Sequence, residues 1–429
     1  MAENSYPWFD DALGDAGPYT FQEWGTLYSH SQAQNLSNTG VLSGVLNSLE
    51  VTTTAVPPDS IHVNSGAAWV DGTYYINTAS VDEVMPAAAA GAYLTVLAKD
   101  WATQTVRVDT RIGALTHDDG VLWEIPLAQF DLDAAGNVTN LVDTRKFAPF
   151  PRHVQGRLSL LTGVPNQPTR TAQTTLYFTP YSGNLITLPD ARGGWRTINF
   201  TEPSIGNGAL AINTNYDVFG YLDANENLAL EFSAAWASDV ARADAISWSD
   251  GALVETADIT RLYLGTVRTD ASVEFNDHPT VQGRFLWNMY NRIGYTDYRR
   301  DATDNWLLNN AAWVAANGGA TAWQFHFLIG GIVGAVSKNA VVHMLAEDEN
   351  PKCSVTSDGV AFVPTESSTG VINVAGSMEH MSASWVQFTG IGYHYAQVIT
   401  QNSGAGNSTF YGDNGGTSEQ AGWTLTGEH

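Results

Sequence analysis

YDVFGYLDANENLALEF, residues 216–232, decides the architecture. Tyr216, Val218, Gly220 and Leu222 alternate up to a polar turn, and Leu228, Leu230 and Phe232 alternate on the way back. Period-two alternation on both sides of a turn reads as a β-hairpin with one buried face. The rhythm spreads outward. ARADAISWSDGALV (241–254) and TRLYLGTVRTD (260–270) repeat strand, turn and strand. Short strands at such spacing predict a sandwich or barrel over the middle block, 151–293.

Upstream, Ile61, Val63, Ala68 and Val70 lead into Asp71-Gly72, a strong two-residue hairpin signal. Strand-like runs follow at 92–98, 105–112, 121–130 and 138–142, each closed by Gly, Asp or Asn. Residues 19–34 differ: Phe21, Trp24, Leu27 and Tyr28 share one face of a 3.6-residue period and predict a short helix. FAPFPR (147–152) reads as a linker closing a first domain, 1–150. Downstream, WQFHFLIGGIVGAV (323–336), AVVHMLAED (340–348) and GIGYHYAQ (390–397) read as strands. A jelly-roll-like domain is expected over 294–429. The fold class is therefore all-β and multidomain, apart from the short N-terminal helix.

The chain has 429 residues with 44 acidic and 19 basic side chains, a formal charge of -25. Only 15% of residues are charged, against roughly 25% in an average soluble domain. Scarce Lys and Arg argue against tracking nucleic-acid phosphates and against docking on anionic lipid. The single cysteine, Cys353, excludes an intrachain disulfide. Met-Ala-Glu-Asn-Ser-Tyr-Pro-Trp at the start carries no basic n-region or apolar h-region. Synthesis and folding in a cytoplasm are the expectation. The apolar stretch Phe325 to Val336 is shorter than the ~20 residues a spanning helix needs, so membrane insertion is not expected.

Several segments are similar to tailed-bacteriophage tail-fibre and receptor-binding proteins. TTLYFTPYSGNLITLPD (174–190), YDVFGYLDANENLALEFSAAW (216–236), ARADAISWSDGALVETADITRLYLGTVRTD (241–270) and RFLWNMYNR (284–292) resemble, in order, a domain common in such virion proteins. RGGWRTINFTEPSIG (192–206) matches it only loosely. GVLSG (40–44), SGAAWVDGTYY (65–75) and LVDTRKF (141–147) resemble their first domain. GIGYHYAQ and STFYGDNGG (408–416) are similar to their C-terminal tips. The resemblance implies a structural virion protein without cofactor or catalysis, usually an oligomer, here expected to be a homotrimer. Residues 1–150 would attach to tail, baseplate or capsid proteins, and residues 294–429 would meet a host-surface glycan or protein. A head fibre or decoration protein on the capsid is the first alternative, and a host-glycan depolymerase or esterase the second.

The tip residues expected to contact a receptor are His394, Phe410, Tyr411, Asp413, Asn414 and Trp423, aromatic and polar groups among Gly, Asn and Ser. Core packing is the competing reading for each aromatic. Alternation puts Tyr393 and Tyr395 on one face and His394 on the other.

Glycoside hydrolysis needs paired carboxylates. Glu226 with Glu231, Asp297 with Asp301, and Glu347, Asp348 and Glu349 are the pairs available. The first and last sets read as solvated loops. Cys353 reads as a buried thiol rather than a nucleophile. His326, His343, His380 and His394 show no metal-binding spacing, and His326 reads as a strand residue pointing away from the core. Asp131, Asp133 and Asn137, and Asp301, Asp304 and Asn305, are spaced as calcium loops are, but turns use the same residues.

Overall fold

The computed structural model describes residues 3–6, 39–53, 60–83, 90–148, 152–166, 169–191, 193–278, 283–331, 338–348, 351–359, 361, 370–371, 378–387, 390–402, 406–412 and 421–428. They are almost entirely β, in several mainly antiparallel sheets, with two short 3-10 turns at Ala316–Gly319 and Thr321–Trp323 and no α-helix among them. The helix expected over 19–34 lies outside the described residues, as does most of the 147–152 linker. The chain divides into two compact units, residues 1–153 with 187–197, and residues 154–186 with 198–429.

In the first unit Leu122–Leu132 pairs with Gly91–Asp100, which pairs in turn with Thr105–Arg111. A second sheet runs Glu3–Tyr6, Thr73–Asn77, Gly66–Val70, Gly40–Val41. Val70 pairs with Thr73 across Asp71-Gly72, and both turn residues have positive φ (44° and 74°), the mirror-image turn that the dipeptide favours. A third, short sheet runs Val51–Thr53, Ile61–Val63, Val81–Glu83. Val63, Tyr75, Leu97, Val106, Leu127 and Phe130 belong to one buried cluster drawn from all three sheets. At the edge strand Thr105–Arg111, the outward amides of Val106 and Val108 donate to Ser5 Oγ (2.9 Å) and Glu3 Oε1 (3.0 Å). The Thr110 amide donates to the carboxylate of its neighbour Asp109 (2.9 Å).

The second unit carries the hairpin read from 216–232. Val218 pairs with Phe232 and Leu222 with Leu228, around a turn in which Asp223 Oδ1 accepts the amides of Asn225 (2.8 Å) and Asn227 (2.9 Å). The expectation of a single buried face fails in the first strand, Asn215–Leu222, where residues 215–220 are buried on both sides. The reason is that Arg242, from outside the strands, and neighbours on the adjoining strand Leu262–Arg268 close over its second face. Phe219 packs on Tyr263, and the Asp217 carboxylate takes Arg242 (2.6 and 3.1 Å) and Thr266 Oγ1 (2.7 Å). Burial raises the Asp217 pKa, opposed by the Arg242 charge.

Two larger sheets of this unit face each other. One runs Arg170–Gln173, Phe275–His278, Gly283–Arg284, Gln324–Ile329, Gly392–Asn402, Pro351–Ser357, Gly370–Val371. It takes strands from both sides of residue 293. The other runs Gly294–Arg300, Gly422–Glu428, Lys338–Asp348, Ser408–Tyr411, Asn305–Leu308, with Met378–Gln387 also on Lys338–Asp348. Phe325, Phe327, Val355 and Val398 of the first sheet share a core with Ala346, Met381, Phe410, Trp423 and Leu425 of the second.

Candidate functional site

Along Gly392–Asn402, His394, Ala396 and Val398 are buried, while Tyr393 and Tyr395 are half-buried on the opposite face. A strand sends alternate side chains to opposite faces, and only one face of this sheet lines the shared core. The neighbouring strand Gln324–Ile329 follows the same rule. Phe325 and Phe327 enter the core, and His326, paired with Tyr395, stands among the tyrosines.

Tyr393 Oη and His326 Nδ1 are 2.7 Å apart. Their planes lie within 8° of parallel with centroids 5.7 Å apart, and the 2.7 Å contact joins them at their edges, a plate of two parallel rings. The Arg268 guanidinium sits 4.1 Å from the Tyr393 ring centroid, a cation on an aromatic face. Asn215 Oδ1 (2.8 Å) and Asp239 Oδ1 (2.7 Å) hold that guanidinium, and the Tyr393 amide donates to the Asp239 carbonyl (2.8 Å). Tyr395 leans on His326, ring centroids 5.6 Å apart. Burial, with Arg299 and Arg268 nearby, pushes His326 down to about 4, so its ring is neutral at neutral pH. Burial likewise raises the Tyr393 hydroxyl, opposed by Arg268.

Gly283 makes the neighbouring pairing possible. A Cβ there would fall 2.5 Å from Phe285 Cε1 and 2.8 Å from the His326 carbonyl oxygen, and its φ is +140°. Only glycine accommodates that approach without movement.

On the core side of the same strand, His394 is 7% exposed. Its Nδ1 lies 2.8 Å from Asp358 Oδ2 and its Nε2 3.0 Å from the Gly390 carbonyl oxygen. Asp358 also clasps the backbone: Oδ1 accepts the Tyr395 amide, and its own amide donates to the Tyr395 carbonyl, both at 3.0 Å.

The other expected contact residues do not gather here. Phe410 is fully buried and stacked on Trp306, centroids 5.6 Å apart. Trp423 is 1% exposed, lies 4.3 Å from the Phe325 ring, and donates Nε1–H to the Ala322 carbonyl (2.9 Å). Both are core residues rather than accessible ones, because their strands line the inner face of the second sheet. Tyr411 is half-buried in Ser408–Tyr411, while Asp413 and Asn414 lie outside the described residues. Arg268, Asp239 and Asp358 are the participants the sequence did not single out. They are far from Tyr393 along the chain, and no local pattern marks them.

Glu231, Asp297 and Asp301 are held in structural contacts. Glu231 pairs with Arg261 (2.6 Å), and Glu226 sits in the left-handed bend of its turn (φ 63°). Asp297 accepts two bonds from Arg284, and Asp301 accepts Trp323 Nε1, Asn317 Nδ2 and the Thr303 amide. Glu347 and Asp348 end the strand Lys338–Asp348 rather than lying in a loop, because strand pairing extends to Asp348. Glu349 lies outside the described residues. Asp133 caps its own turn through the amides of Ala135 and Asn137 and through Asn137 Nδ2. Cys353 is buried in the core.

No family model matches the chain, and no curated protein matches it. Among solved structures, the insecticidal delta-endotoxin Cry8Ea1 of Bacillus thuringiensis aligns at 10% identity over 63% of this chain, with a TM-score of 0.18. The chain spans about half (51%) of that toxin's length. The VP2 subviral particle of infectious bursal disease virus aligns at 11% identity over 78% of this chain and 68% of its own, with a TM-score of 0.21. At such TM-scores neither likeness carries an argument about this chain.

Proposed function

We propose that the chain is a structural virion protein of a tailed virus, a tail-fibre or baseplate-associated protein that contacts the host surface by non-covalent binding. The class rests on the ordered resemblance of residues 174–292 and of the flanking segments to such proteins. The structural observation that supports a binding role is the Tyr393–His326 plate with Tyr395 beside it. Half-buried tyrosines in a fixed array offer flat apolar area with hydroxyl groups at little cost in side-chain entropy. Asp239 and Asn215, by holding Arg268 beneath Tyr393, fix the plate before any ligand arrives.

In this reading the two facing sheets of the second unit form a jelly-roll-like tip, residues 1–150 attach to the particle, and the working assembly is a homotrimer. Three copies would carry about -75 charges, enough self-repulsion to keep neighbouring fibres apart. The assay is competition. Purified full-length chain, added to the bacteria on which the virus grows, should block adsorption, and the Tyr395→Ala chain should block it poorly. Equal blocking by both removes the tyrosine face from the reading, and no blocking by either removes receptor contact. Antibody label on capsid vertices in intact particles would move the protein from tail to head.

A further inference from the structure

The two ring nitrogens of His394 both face oxygen atoms that have no proton to give. Nδ1 points at the Asp358 carboxylate and Nε2 at the Gly390 carbonyl. A neutral imidazole carries one N–H, so one of these contacts would set a lone pair against an oxygen; only the doubly protonated ring donates to both. We propose that His394 is held as the imidazolium and acts as a proton-operated clasp, drawing Asp358 and the Gly390 carbonyl onto the root of the tyrosine-bearing strand.

The surroundings support the charge. Asp358 is the charged group in contact with the ring, and Phe327, paired with His394 across the sheet, puts its ring centroid 6.1 Å away as an apolar wall. Burial alone would lower the histidine pKa, but the Asp358 bond and charge and the Gly390 carbonyl outweigh it and leave the pKa raised. What the clasp holds is specific. Pro351–Ser357 pairs with Gly392–Asn402 as far as Ser357 and Ala396, and Asp358 carries that pairing one step further, to Tyr395. Loss of the ring proton frees one end of the clasp beside the backbone of Tyr395. A group whose folded pKa is raised gives stability that is complete below its unfolded pKa. The clasp therefore weakens as pH rises through the folded value. This inference concerns protonation and holds whatever the tyrosine face binds.

The test uses the full chain with 13C-labelled histidine, the His394 ring signal being assigned by its loss in His394→Gln. The expected midpoint lies above the ordinary histidine value, ~6.5, and Asp358→Asn should lower it by about 1–3 pH units. In the unsubstituted chain, exchange of the Tyr395 amide should accelerate across that midpoint beyond the ten-fold per pH unit of hydroxide catalysis. A midpoint at or below the ordinary value, or Tyr395 exchange that tracks hydroxide alone, overturns the clasp. Neither measurement depends on adsorption, so the clasp and the receptor reading stand or fall separately.

Discussion

Arg284 grips Asp297 through two hydrogen bonds, Nε to Oδ2 at 3.0 Å and Nη2 to Oδ1 at 2.7 Å, and both side chains are buried. A second carboxylate, Asp277, stands 3.5 Å from Nη1 of the same guanidinium. Arg284 thus serves two buried anions, an arrangement whose desolvation cost is offset only while the cation is in place.

Arg284→Met should therefore destabilise the chain by about 3–5 kcal/mol, read by urea denaturation. Burial already pushes Asp277 up to about 6, against the pull of Arg284 and Arg157. Without Arg284 its folded pKa rises further, and a raised acid pKa means stability that falls as pH increases. The loss should be smaller at pH 5 than at pH 8; a loss independent of pH would show that the carboxylates are not the source.

Glu83 supplies a second pH signature. Burial first, then the charges of Glu3 and Asp109, push it up to about 7. The folded chain then binds a proton that the unfolded chain has released, so stability declines as pH rises from the ordinary glutamate range to about 7 and then levels. Glu83→Gln should match the unsubstituted chain near pH 4 and exceed it at pH 8 in thermal melts. Parallel melting curves at all pH values would contradict the assignment.

Trp423 and Tyr395 separate packing from contact. Trp423→Ala removes a buried side chain from the core shared by the two facing sheets and should cost about 3–5 kcal/mol. Tyr395→Ala, at a half-buried position on the other face of its sheet, should cost only about 1 kcal/mol while impairing competition for adsorption. Denaturation of the two variants side by side checks both, and a large loss for Tyr395→Ala would reassign it to packing.

Asp71-Gly72 offers a local check. With φ at +74°, Gly72→Ala should cost about 1–2 kcal/mol although a Cβ there meets nothing within 4 Å. A neutral result in denaturation would mean the turn relaxes to another type.

Alternation in 216–232 and the Asp-Gly turn at 71–72 were legible because each depends on neighbours in sequence: a strand's period, a dipeptide's tolerance of positive φ. Which face of a strand meets the core is a different kind of fact. Asp217 and Phe219 look like the outer side of a one-sided hairpin, yet Arg242, from outside the strands, and the cross-strand neighbour Tyr263 cover them. Phe410 and Trp423 sit in a Gly- and Ser-rich stretch whose composition suggests exposed loops, and the facing sheet encloses them. The tyrosine plate was half visible. The shared face of Tyr393 and Tyr395 follows from alternation alone, whereas Arg268, His326 and Asp358 reach it only through pairings distant along the chain.

The side chains of Glu3 and Ser5, with that of Asp109, take up the outward amides of Val106, Val108 and Thr110 along Thr105–Arg111. An invading strand would have to displace one of these acceptors for each ladder bond it takes from the three amides. This margin is closed to template-driven polymerisation by saturation of its donors, and the closure needs neither a proline nor a bulge at those three positions.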